Sequence, residues 1–151
     1  MARHAQSVHE ASAHWEGTLT EGKGEVVSSS SGALKNLPVS WTSRTGGDAS
    51  QTTPEELLAA AHAACFAMAL SFELQGKGIQ AESLDVTAAV GFDPKVGGGF
   101  EVSFSELTVK GKVPGINAED FAAAVQGASQ GCPLSQALKG NVEIVATGEL
   151  V

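Results

Sequence analysis

The stretch TTPEELLAAAHAACFAMALSFELQGKG, residues 52 to 78, constrains the fold more than any other part of the chain. It has a complete helix start. Thr53 can serve as N-cap, Pro54 suits the first helical position, and Glu56, three residues after Thr53, completes a capping box. Gly76 or Gly78 supplies the stop. Between them Leu58, Ala61, Cys65, Met68, Ala69 and Phe72 recur at three- and four-residue steps, with alanines on the other sides. A helix so apolar has to be covered nearly all round, which predicts a long buried central helix. Its longest apolar run, Leu57 to Leu70, is interrupted by His62 and is too short to span a bilayer.

The flanking segments read mainly as strands. AHWEGTLT and GKGEVVSSSS frame the turn-forming EGKG, and a Gly/Ser/Asn-rich connection leads on to VSWTSRTGG, a β-rich start. After the helix, ESLDVTAAVGFDP and GFEVSFSELTVKGKV alternate polar and apolar residues around DPKVGGG, the pattern of a long antiparallel hairpin. NAEDFAAAVQGASQ makes a second helix with Asn117 as N-cap, PLSQALK a short third one, and NVEIVATGELV a last strand. The order β, α, β, α, β with helices segregated from antiparallel strands predicts an α+β fold, its helices on one face of a sheet.

The 151 residues suffice for one core, predicted as a flexible tail over 1–10 and a single domain over 11–151. With a net charge of -8 and no Lys/Arg cluster, the chain lacks the basic footprint that nucleic acid or anionic lipid requires. The polar opening MARHAQSVHEASAHWEG has no apolar core of a secretory signal, so a cytoplasmic location is expected. GKGEVV lacks both the spacing and the following helix of a nucleotide-binding loop.

Five residues could carry chemistry, and each has a bland explanation. Cys65 and Cys132 are the only cysteines. They form no CxxC motif, and in a reducing compartment their pairing would be transient. Cys65 inside an apolar helix can be a small core residue. To react it must become a thiolate, which burial opposes and a cation favours. Of the two arginines, Arg3 sits in the tail, which leaves Arg44; a solvated loop residue is its alternative. Cys132, beside Pro133 at a helix start, faces unpaired backbone N–H groups and is on that ground the more obviously activated thiol. Glu56 can cap its own helix or hold Arg44 in a bidentate pair. His62 and Cys65 share a helical face and could be zinc ligands with Cys132, but no CxxC or HExxH accompanies them, and a hydrogen-bonded histidine is the preferred reading.

TTPEELLAAAHAACFAMALS, with HWEG upstream, VPGINAEDF after the hairpin and GCPLSQALKGNVEI near the end, resembles the OsmC/Ohr family of thiol peroxidases, its OsmC branch in particular. The likeness spans nearly the whole chain. It implies an intertwined homodimer that reduces organic hydroperoxides, and hydrogen peroxide to a varying degree, without metal, haem or flavin. It further implies that Cys65 is the peroxidatic thiol and Cys132 the resolving one, with Arg44 and Glu56 lowering the pKa of Cys65 and orienting it. A lipoyl-type or other dithiol is the implied reductant. The absence of arginine from Ala11 to Ser43 sets the chain apart from the Ohr branch.

Nine residues along a straight helix correspond to about 13 Å of rise and roughly 180° of rotation. Either the helix is irregular between Glu56 and Cys65, or Glu56 serves the Cys65 of a second subunit across a two-fold axis, which is the preferred reading. The competing reading is a non-catalytic domain of the same fold that holds an apolar ligand at the dimer interface.

Overall fold

Pro54 opens a 23-residue helix, Pro54–Gly76, as the sequence pattern requires. The computed structural model describes residues 4–151, so Arg3 lies outside the described residues. Two compact units divide the chain, one ending at Pro54 and one covering Glu55–Val151.

In the first unit β1 (Ala11–Glu16), β2 (Lys23–Ser29) and β3 (Leu37–Val39) form an antiparallel sheet in that order. A four-residue helix follows, α1 (Trp41–Arg44), in a segment whose pattern predicts no helix. Its cause is local. Ser40 and Ser43 form a reciprocal capping box, the Ser43 N–H donating to Ser40 Oγ at 3.0 Å and the Ser40 N–H to Ser43 Oγ at 3.1 Å.

The second unit holds the long helix α2 (Pro54–Gly76), β4 (Ser83–Pro94), β5 (Phe100–Lys112), α3 (Ala118–Gly131), α4 (Pro133–Leu138) and β6 (Glu143–Leu150). A Schellman motif ends α2: Gly78 takes φ +73°, its N–H donates to the Gln75 carbonyl, and the Ile79 N–H reaches back to the Leu74 carbonyl at 2.9 Å. Asn117 caps α3 by accepting from the Asp120 N–H at 2.8 Å.

β4 and β5 form the expected antiparallel hairpin, but β6 lies parallel to β5, so this sheet is mixed where antiparallel sheets were expected. The reason is the connection. α3 and α4 carry the chain back along the sheet before β6 begins, which a parallel neighbour needs and a hairpin does not. Along β5, Ser105, Leu107, Val109 and Gly111 are buried and alternate with exposed Glu106, Thr108 and Lys110. That face shares one core with Phe66, Leu70 and Leu74 of α2 and with Phe121, Ala124, Val125 and Ala128 of α3.

Within this chain α2 is not buried all round. His62, Phe66, Leu70 and Leu74 face the core, whereas Ala61, Ala64, Met68 and Phe72 are exposed. The stripe through Met68 and Phe72 is thus not the one the chain covers with its own sheet. An 18-residue stretch of α2 has mean hydropathy 1.7, so by length and composition alone this helix could cross a bilayer. A core helix meets the same criterion, and Phe66, Leu70 and Leu74 are fully buried against protein.

Candidate active site

Cys65 sits half-buried on α2, while Cys132 is fully buried at the break between α3 and α4. The break follows from local chemistry. Cys132 is at once the C-cap of α3 and the N-cap of α4, with φ -60° and ψ 122°, and Pro133 occupies the first position of α4, where its missing N–H costs nothing. This turn brings the two sulfurs to 3.1 Å from each other, although the residues are 67 positions apart. Beside Cys65 lies a mostly apolar cavity of about 380 Å3, lined by Met68, Ala69, Phe72, Glu73, Gly131 and Pro133.

The two thiols are unequal. Burial alone would raise Cys132, but hydrogen bonds from the Ser135 N–H, the Cys65 thiol, the Ser135 hydroxyl and the Leu134 N–H outweigh it, and the net displacement is downward. The Cys132 side chain makes no cap hydrogen bond at the start of α4. Cys65 moves the other way. Burial pushes it up, the Leu134 N–H offsets part of this, and a negative Cys132 beside it pushes it up again. Cys132 is thus the more acidic of the two thiols within this chain.

His62 is fully buried, and both ring nitrogens are engaged: Nδ1 with Ser105 Oγ at 2.7 Å and Nε2 with Ser135 Oγ at 2.8 Å. Burial lowers its pKa, so the ring is neutral at pH 7. With no nitrogen left over, His62 does not fit the zinc reading, and its role as a hydrogen-bonded histidine holds. Among the described residues no group of three His, Cys, Asp or Glu is arranged to hold a metal ion.

Of the two glutamates that open α2, Glu56 is exposed and Glu55 is buried. The capping-box pattern points to Glu56. Spacing could have pointed to Glu55, which stands seven residues before His62 and so on the same buried face. Arg44 belongs to the first unit, where it ends α1 and lines a cavity of about 350 Å3 with Trp15, Trp41 and Pro54.

Residues 46–147 match the OsmC-like protein family. The chain is 46% identical over 132 residues to peroxiredoxin OsmC of Escherichia coli (strain K12), covering 87% of this chain and 90% of that protein. It is 32% identical over 123 residues to the organic hydroperoxide resistance protein OhrA of Bacillus subtilis (strain 168), covering 81% and 84%. Among solved structures, an organic hydroperoxide resistance protein from Elizabethkingia anophelis superposes with a TM-score of 0.72 at 28% identity, covering 97% of this chain and all of that one.

Proposed function

The chain belongs to the OsmC family, and on that premise we propose that it is a thiol-dependent peroxidase that reduces organic hydroperoxides through a Cys65–Cys132 dithiol. The observation that carries this reading is the pair of free sulfurs 3.1 Å apart beside an apolar cavity. A disulfide needs the sulfurs at about 2.05 Å, so side-chain rotation with little backbone movement closes it.

The Cys65 thiolate attacks the distal oxygen of the hydroperoxide. The O–O bond breaks, the alkoxide leaves and takes a proton to become the alcohol, and Cys65 is left as a sulfenic acid. The Cys132 thiolate then attacks that sulfur. An S–S bond forms, the S–O bond breaks, and the departing hydroxide is protonated to water. A lipoyl-type or other dithiol returns both cysteines to thiols by exchange. Cys65 is the more accessible sulfur and adjoins the apolar cavity, which suits an organic hydroperoxide; Cys132 is fully buried and suits the internal step.

Because Cys65 is pushed up within its own unit, it needs a cation to react, and Arg44 is the proposed source, held by Glu56. The exposed row of Ala61, Ala64, Met68 and Phe72 supports a homodimer in which a second copy covers α2 and can supply Glu56.

The test is to mix reduced protein with cumene or tert-butyl hydroperoxide and a dithiol, and to compare Cys65→Ser with Cys132→Ser. Cys65→Ser is expected to consume no peroxide above background, and Cys132→Ser to stop after one turnover with a trappable sulfenic acid on Cys65. Unchanged consumption by Cys65→Ser would end the peroxidase reading and leave the cavity as a site for an apolar ligand.

A further inference from the structure

We propose that Glu73 sets which hydroperoxides the cavity beside Cys65 admits: those whose organic chain ends uncharged, and not those whose chain ends in a carboxylate. The proposal rests on the peroxidase reading of the site and names its substrate class.

Glu73 stands eight residues after Cys65 on α2, about 12 Å along the helix axis and roughly 80° around it. Both line the cavity, with Met68, Ala69 and Phe72 between them along the helix. Apart from the Cys65 thiol, Glu73 is the one ionisable side chain among the described residues of that lining. Its carboxylate lies against α3. A Cβ added to Gly127 would stand 2.9 Å from Oε2 and 3.5 Å from Oε1, and one added to Gly131, a turn later, 4.0 Å from Oε1. Glycine is a poor residue for a helix interior, and at Gly127 this carboxylate takes the space of the missing side chain.

Nothing in the chain neutralises the charge. Glu73 is half-buried, and among the described residues no hydrogen bond or ion pair engages it. It belongs to the last turn of α2 and packs beside the last turn of α3, and helix C-termini carry partial negative charge. A hydroperoxide whose O–O group lies at the Cys65 sulfur has its chain directed past Met68 and Phe72 towards this carboxylate. A short or apolar chain meets only apolar wall. A chain that reaches Glu73 and ends in its own carboxylate brings two like charges together where water screens them poorly. Such a repulsion excludes one class of substrate without tightening the other.

The test uses the whole chain and two linear hydroperoxides long enough to span the distance from Cys65 to Glu73, one ending in a carboxylate and the other in a primary amide. The matching alcohols, which cannot be reduced, measure binding alone. In the parent protein kcat/KM is expected to be about tenfold lower for the acid than for the amide, with a similar ratio of Kd values for the alcohols. Glu73→Gln keeps the shape without the charge and is expected to bring both ratios close to one, and Glu73→Lys to invert them, with circular dichroism checking the fold of each. Equal values for acid and amide in the parent, or ratios that folded Glu73→Gln leaves unchanged, would overturn the proposal. Alcohol ratios that move as expected while neither hydroperoxide is consumed would overturn the peroxidase reading alone.

Discussion

The Cys65 and Cys132 sulfurs stand 3.1 Å apart across the contact between α2 and the α3–α4 break, one half-buried and the other sealed from solvent. At that distance oxidation should close a bond inside one chain. Addition of one equivalent of hydroperoxide to reduced protein is expected to remove both free thiols with no cross-link between chains. Intact mass and a non-reducing gel check this, and a covalently linked dimer as the main product would contradict it.

His62 predicts a pH dependence of stability. An unfolded histidine titrates near its ordinary 6.5, and burial lowers the folded value below that. As the pH falls below 6.5, the unfolded chain takes up a proton that the folded chain refuses. Stability is therefore whole above 6.5 and declines towards the folded pKa, by at most about 1.4 kcal/mol per pH unit from this one group. Urea unfolding from about pH 7.5 to 5 is expected to show a shallower decline in His62→Gln than in the parent. Equal slopes would mean that His62 is not held neutral.

How much of this was legible depends on how local each cause is. Pro54, Asn117 and the alternation on either side of DPKVGGG act within a few residues, and α2, α3 and the β4–β5 hairpin form where those signals stand. The parallel pairing of β6 is set by where α3 and α4 deliver the chain, which no pattern within NVEIVATGELV records. The same holds for the site. Nothing local to Cys65 marks a sulfur 67 positions on as its neighbour, and the resemblance, not the spacing, paired them. His62 was legible as a bonded residue, but its partners Ser105 and Ser135 were not, since serines are too common to stand out. Glu55 was masked by the capping-box signal at Glu56, which accounts for the latter without needing burial.

Phe121 locks α3 onto the sheet through two glycines. A Cβ on Gly111 would stand 2.5 Å from its Cζ, and one on Gly148 would stand 3.1 Å from its Cε1. The ring is fully enclosed and cannot swing away. Gly111→Ala is therefore expected to cost about 1–3 kcal/mol, as overpacking does. Pairing it with Phe121→Leu should cost less than the sum of the two single changes in chemical denaturation. Strict additivity would show that the ring is not the obstacle.

Met68 and Phe72 lead to the last prediction. They are 69% and 76% exposed on a helix whose opposite face is sealed, so each contributes little to the core of its own chain. If a second copy covers this row, a carboxylate placed there would be buried without a partner, at a cost large enough to oppose association. Met68→Glu and Phe72→Glu are therefore expected to leave the circular dichroism spectrum unchanged and to turn a dimer into a monomer in analytical ultracentrifugation. A parent protein that sediments as a monomer with full turnover would remove both the dimer and the role of Glu56 across it.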